Sequence, residues 1–115
     1  IDDEAQVLRT LSRILERLGF DVVTASSGRD GLALLAAMSQ DPPRLVILDI
    51  VMPEMDGAET LRRLRGLDRH IPVLLTSGFA MKEVVDRFDM DEVAGFVPKP
   101  FQRRRLLAEL RKILD

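Results

Sequence analysis

Apolar positions along the chain switch between two spacings. Val7, Leu8, Leu11, Ile14, Leu15 and Leu18 recur with helical periodicity, and Gly19 supplies a stop. Asp21-Val22-Val23-Thr24-Ala25 reads as a short strand. Ser26-Ser27-Gly28 forms a turn with capping hydroxyls, and a helix through Leu32, Leu34, Leu35 and Met38 follows. Asp41-Pro42-Pro43 breaks that helix. Leu45-Val46-Ile47-Leu48 is then an unbroken apolar run, as expected of a strand buried on both faces, and it ends in Asp49. Met52-Pro53 halts regular pairing, and Gly57 allows a tight entry into a helix from Gly57 to Arg65, with Leu61 and Leu64 inward. Ile71 to Thr76 predicts another buried strand, Met81 to Phe88 a shorter helix, and Gly95 to Pro98 a brief strand. A last helix from about Gln102 to Leu114 buries Leu106, Leu107, Leu110, Ile113 and Leu114.

Strands separated by helices predict parallel β-α-β units, with helices on both sides of one sheet. One element is short. The chain opens at Ile1-Asp2-Asp3-Glu4 and passes almost directly into a helix, so Ile1 reads as the final residue of a first strand. We expect a five-stranded doubly wound sheet whose first strand is largely missing from this sequence. Losing a central strand would expose apolar faces, so the intact protein is expected to carry those residues.

Composition narrows the functional classes. A chain of 115 residues suits a single domain over residues 1–115, and its 46% apolar content suits a packed globule. Seventeen Lys and Arg against nineteen Asp and Glu give no basic excess of the kind nucleic-acid binding needs. Arg103, Arg104, Arg105, Arg111 and Lys112 on the last helix read as a solvated face rather than a DNA contact. Without cysteine, disulfides and thiolate metal sites are excluded. No apolar run reaches the roughly 18 residues of a membrane span, and no signal-peptide pattern is present. A cytoplasmic location is expected.

Polar groups close the apolar strands. Asp2 and Asp3 follow the first, Asp49 the third, Thr76 the fourth and Lys99 the fifth. In a parallel sheet these ends share one edge, where open α/β sheets bind ligands. Two carboxylates about 4 Å apart repel by about 4 kcal/mol at an effective dielectric near 20. Asp2, Asp3 and Asp49 together therefore call for a cation or a raised pKa, and Mg²⁺ is the cation that suits oxygen ligands and phosphate. Asp49 can attack phosphorus as a carboxylate nucleophile. Lys99 would neutralise the phosphoryl oxygens and the Thr76 hydroxyl would donate to one of them. Each residue alone has an ordinary role: a cap or turn for Asp49 and Thr76, a helix-dipole partner for Asp2-Asp3-Glu4, a solvated lysine for Lys99. Their joint occurrence at the strand ends argues for chemistry.

Along essentially its whole length the chain resembles the receiver domains of two-component response regulators. The resemblance rests on Asp2-Asp3, on Asp49 within L-D-I-V-M-P-E-M-D-G, on Thr76, and on Lys99-Pro100 preceded by Phe96. It implies the flavodoxin-like strand order 2-1-3-4-5. It also implies Asp49 as phosphoacceptor, Mg²⁺ held by Asp3, Asp49 and the Val51 backbone carbonyl, and Asp2 acting through water. The implied donor is a phosphohistidine on a histidine kinase or histidine phosphotransfer protein. Thr76 and Phe96 would act as the switch pair, remodelling the face of the fourth helix, fifth strand and fifth helix, which would contact partners or a second receiver. The domain itself would touch neither nucleic acid nor membrane.

His70, in a turn before Ile71-Pro72, reads as a solvated residue rather than a relay histidine. Val51 and Gly78, two residues after Asp49 and Thr76, stand where receivers influence water attack on the acyl phosphate; neither side chain can hydrogen-bond that water. A long-lived phosphoryl group is the expectation. The phrasing of 76–79 and 95–101 is similar to receivers fused to hybrid histidine kinases, in which case the parent chain could be membrane-anchored. Two other functions compete: a receiver-like interaction module that is never phosphorylated, and a haloacid-dehalogenase-type phosphatase, which wants an Asp where Val51 stands.

Overall fold

Among the described residues, three short apolar runs build the sheet. In the computed structural model, which describes residues 1–52, 55–78, 84, 86 and 88–114, these are β1 (Val46–Asp49), β2 (Val73–Ser77) and β3 (Gly95–Pro98). They are parallel and ordered β1-β2-β3. The register sets Asp49 opposite Thr76, and Thr76 opposite Val97. Asp49, Thr76 and Lys99 thus come to one edge, because all three strands end in the same direction.

Among the described residues, four helices cover the sheet: α1 (Ala5–Arg17), α2 (Gly28–Ala37), α3 (Gly57–Leu67) and α4 (Arg103–Leu114). A 3₁₀ turn, Met90–Glu92, precedes β3. Alternation along each strand divides the core between two faces. Val46, Leu48, Val73, Leu75 and Phe96 pack with Leu61 and Leu64 of α3, with Leu32 and Leu35 of α2 alongside. On the other face Leu74 and Val97 pack with Leu11, Leu106 and Leu110 of α1 and α4. Gly19 ends α1 at φ 93°, a conformation that glycine adopts without steric cost. Ser27 and Asp56 cap α2 and α3 by accepting from Asp30 N and Glu59 N. Among the described residues, no helix is long and apolar enough to cross a membrane.

The structure corrects one expected element and trims another. Residues 21–25 form no strand, and the first strand is represented by Ile1 and Asp2 alone. A strand is defined by its ladder, and here the ladder is a stub. Asp2 N donates to Ala25 O at 3.1 Å, Asp49 N to Ile1 O at 2.9 Å, and Ile1 N to Ile47 O at 2.7 Å. These bonds place Ile1–Asp2 between Ala25 and β1, the neighbour relation of the order 2-1-3-4-5. A cavity of about 510 Å³ adjoins Ile1, between residues 21–25 and Leu45–Ile47. The expected helix from Met81 to Phe88 lies largely outside the described residues; Val84 and Phe88 within it are buried. The boundaries of β2 and α3 shift by one or two residues from the sequence reading.

Candidate phosphoryl-transfer site at the strand ends

Each site residue is placed by a backbone constraint. Asp2 ends the hydrogen-bonded stub, and its Oδ1 accepts from Glu4 N at 2.9 Å, forming a turn that leads into α1. Asp49 ends β1, with Val51 N donating to its Oδ1 at 3.4 Å. It caps no helix; Asp56 does that for α3. Thr76 lies beside it on β2, and its carbonyl accepts from Ile50 N. Lys99 follows β3, fastened by its own N–H to Ser77 O at 2.8 Å. Gly57 is required at the start of α3: a Cβ there would lie 2.6 Å from Ile50 Cα and 2.7 Å from Asp49 O.

The convergence expected from sequence is observed. Oxygens of Asp2, Asp3 and Asp49 all lie within 4.8 Å of one another. Asp2, Asp49 and Thr76 are buried, while Asp3 is exposed at the mouth. Lys99 Nζ sits 2.8 Å from Asp2 Oδ2, 3.3 Å from Asp49 Oδ2 and 3.2 Å from Glu4 Oε1. Apart from that ion contact, the buried Asp2 Oδ2 has no hydrogen-bond partner among the described residues. Lys99 thus contacts three carboxylates, those of Asp2, Asp49 and Glu4, and Asp3 adds a fourth to the cluster. The all-oxygen donor set and its surplus negative charge fit a small hard divalent cation such as Mg²⁺.

The electrostatics follow from burial. Desolvation, and then the neighbouring Asp2, push the Asp49 pKa up against the opposing pull of Lys99 and Val51 N–H. Burial works to lower the Lys99 pKa, but its bond to Asp2 and the charges of Asp49 and Asp2 more than offset this and raise it. Lys99 is therefore firmly cationic.

Phe96 is buried against the α3 face of the sheet, one strand from Thr76. Val51 is half exposed beside Asp49, and Gly78 is exposed after β2. His70 is exposed, its backbone N–H donating to Asp68 Oδ1 at 2.7 Å. Glu4 was not placed in the cluster from sequence, where only the ordinary role of helix-dipole partner was considered for it. Its adjacency to Asp2-Asp3 was the available signal.

The chain matches the family model described as "Response regulator receiver domain" over residues 1–111. It is 37% identical over 115 residues to the response regulator MprA of Mycolicibacterium vanbaalenii, covering 99% of this chain and 48% of that protein. It is 36% identical over 116 residues to the CpxR homologue of Haemophilus influenzae, described as a transcriptional regulatory protein, with 99% and 48% covered. The chain therefore spans about half the length of these curated relatives. Among solved structures, the chemotaxis protein CheY4 of Vibrio cholerae superposes with a TM-score of 0.86 at 27% identity, covering 98% of this chain and 93% of that one.

Proposed function

Because this chain belongs to the response regulator receiver family of two-component signalling, we propose that it accepts a phosphoryl group onto Asp49 from a phosphohistidine of a histidine kinase or histidine phosphotransfer protein. The supporting observation is the meeting of Asp2, Asp3 and Asp49 oxygens within 4.8 Å, with the Lys99 ammonium 3.3 Å from Asp49.

The step needs no general base. Ionised Asp49 attacks phosphorus with a carboxylate oxygen; as the O–P bond forms, the donor's P–N bond breaks and its electron pair returns to the imidazole nitrogen. Lys99 balances charge on the transferring oxygens, and the Thr76 hydroxyl donates to one of them. Mg²⁺, held by Asp3, Asp49 and the Val51 carbonyl with Asp2 acting through water, would supply further charge neutralisation when bound. Burial of Asp49 keeps competing water away from all but the mouth.

Output in this reading is a population shift. Phosphorylation draws Thr76 toward Asp49, Phe96 takes the space released, and the face around β3 and α4 changes its preference for a partner or a second copy of the domain. The test is intact mass after exposure to acetyl phosphate with Mg²⁺. A gain of one phosphoryl group, absent with chelator and absent in Asp49→Asn, supports the reading. An unmodified chain under those conditions leaves an interaction module that takes no phosphate.

A further inference from the structure

Glu4 occupies the boundary position before α1, with extended φ −87° and ψ 110°, where a side chain ordinarily accepts from N–H groups of the first turn. Its carboxylate makes no such bond. It accepts instead from Lys99 Nζ at 3.2 Å, from the far end of the chain. Its backbone N–H is committed to the same place, donating to Asp2 Oδ1, while Asp2 Oδ2 lies 2.8 Å from the same ammonium. Glu4, Asp2 and Lys99 thereby close a ring.

The three carboxylates around Lys99 differ in depth. The Asp2 and Asp49 side chains are each 3% exposed and Glu4 is 62% exposed, with Lys99 between them at 15%. Two carboxylates therefore attract the ammonium inward and one attracts it outward. Glu4 and Asp49 hold it at nearly equal range, 3.2 and 3.3 Å. Without the outer partner, attraction toward the drier and less screened pair would go unopposed.

We propose that Glu4 is a positioning residue for Lys99: it shares the ammonium with Asp49 and holds it at the rim of the pocket, leaving Asp49 accessible to a divalent cation and to an incoming phosphoryl group. This rests on the reading of Asp49 as phosphoacceptor. Removing the Glu4 charge lets Lys99 settle on Asp49, where it competes with the cation.

Mg²⁺ titration calorimetry on the whole chain tests this without any turnover. Glu4→Gln and Glu4→Ala are each measured alone and in a Lys99→Met background. The expected result is Mg²⁺ affinity weakened roughly two- to fivefold by either Glu4 substitution, with the loss abolished when Lys99 is absent. The Lys99 Nζ nitrogen resonance of the metal-free protein should also shift in Glu4→Gln. Unchanged affinity overturns the proposal. So does an equal loss in both backgrounds, which would mean that Glu4 acts on the cation by its own charge and not through Lys99. The phosphoacceptor reading is judged separately: a wild-type chain that binds Mg²⁺ but gains no phosphoryl group fails that reading alone.

Discussion

Lys99 Nζ stands 3.3 Å from Asp49 Oδ2, joining the end of β3 to the end of β1 across the strand that carries Thr76. The contact is part of a shared arrangement, since Asp2 holds the same ammonium at 2.8 Å. Replacing Lys99 by Met would leave two buried carboxylates facing each other with no side-chain cation. Breaking a fully buried pair costs about 3–5 kcal/mol. Partial exposure of Lys99 puts its loss below that range. Urea unfolding without metal should show the drop, and added Mg²⁺ should recover part of it. A variant as stable as wild type would mean that the ion pairs carry no net stabilisation.

Asp49 gives a pH signature. Burial first, and Asp2 second, raise its pKa above the ordinary carboxylate value. A carboxyl with a raised folded pKa binds its proton more readily in the folded state. Its contribution to stability is thus best below the usual carboxylate range and declines as pH rises through that range to the raised value. Asp49→Asn removes the decline. In chelator, as pH rises from the ordinary carboxylate range to neutrality, the variant should show a flatter stability curve, with a Tm above wild type at neutrality. A variant less stable than wild type at neutral pH would contradict this.

Val51 bears on the lifetime of the phosphoryl group. The residue is 51% exposed next to Asp49, and its side chain offers no hydrogen bond to water. Among the described residues, a Cβ at Gly78 would touch nothing within 4 Å. Val51→Asn supplies an amide able to orient an attacking water. Acyl-phosphate decay, followed by phosphorus NMR or intact mass, should accelerate severalfold; an unchanged rate would sever the link between this position and hydrolysis.

Gly57 ties the site to the fold. Its missing Cβ is what lets α3 start against the carbonyl of Asp49 and the Cα of Ile50, and its N–H donates to Ile50 O at 2.7 Å. Both obstacles are backbone and cannot rotate away. Gly57→Ala should cost at least about 1–3 kcal/mol by overpacking and shift the Asp49 amide resonance. If the resonance stays put, the strand end is less tightly held than these distances imply.

Local pattern carried much of this. The meeting of Asp49, Thr76 and Lys99 at one edge was legible because all three close apolar strands of the same direction. Gly19 was legible as a stop, and it has the positive φ that role requires. Residues 21–25 were misread because a strand depends on its neighbour; Ile1 and Asp2 supply only a stub of ladder for Ala25 to join. Arg65 was not singled out. Its guanidinium binds Ile71 O and Glu92 O, pinning the end of α3 to the turn before β3. Glu4 was read only against its own helix. A contact with Lys99 lies in no local periodicity and emerges only when the sheet brings both chain ends to one edge.

The most direct measurement is site mapping of the modified residue. The chain is treated with acetyl phosphate and Mg²⁺, the acyl phosphate is trapped by borohydride reduction, and peptides are sequenced by mass spectrometry. The account predicts reduction to homoserine at Asp49 alone, and at no residue in Asp49→Asn. Label at Asp2, Asp3 or Asp56 in place of Asp49, or no label at all, would contradict it.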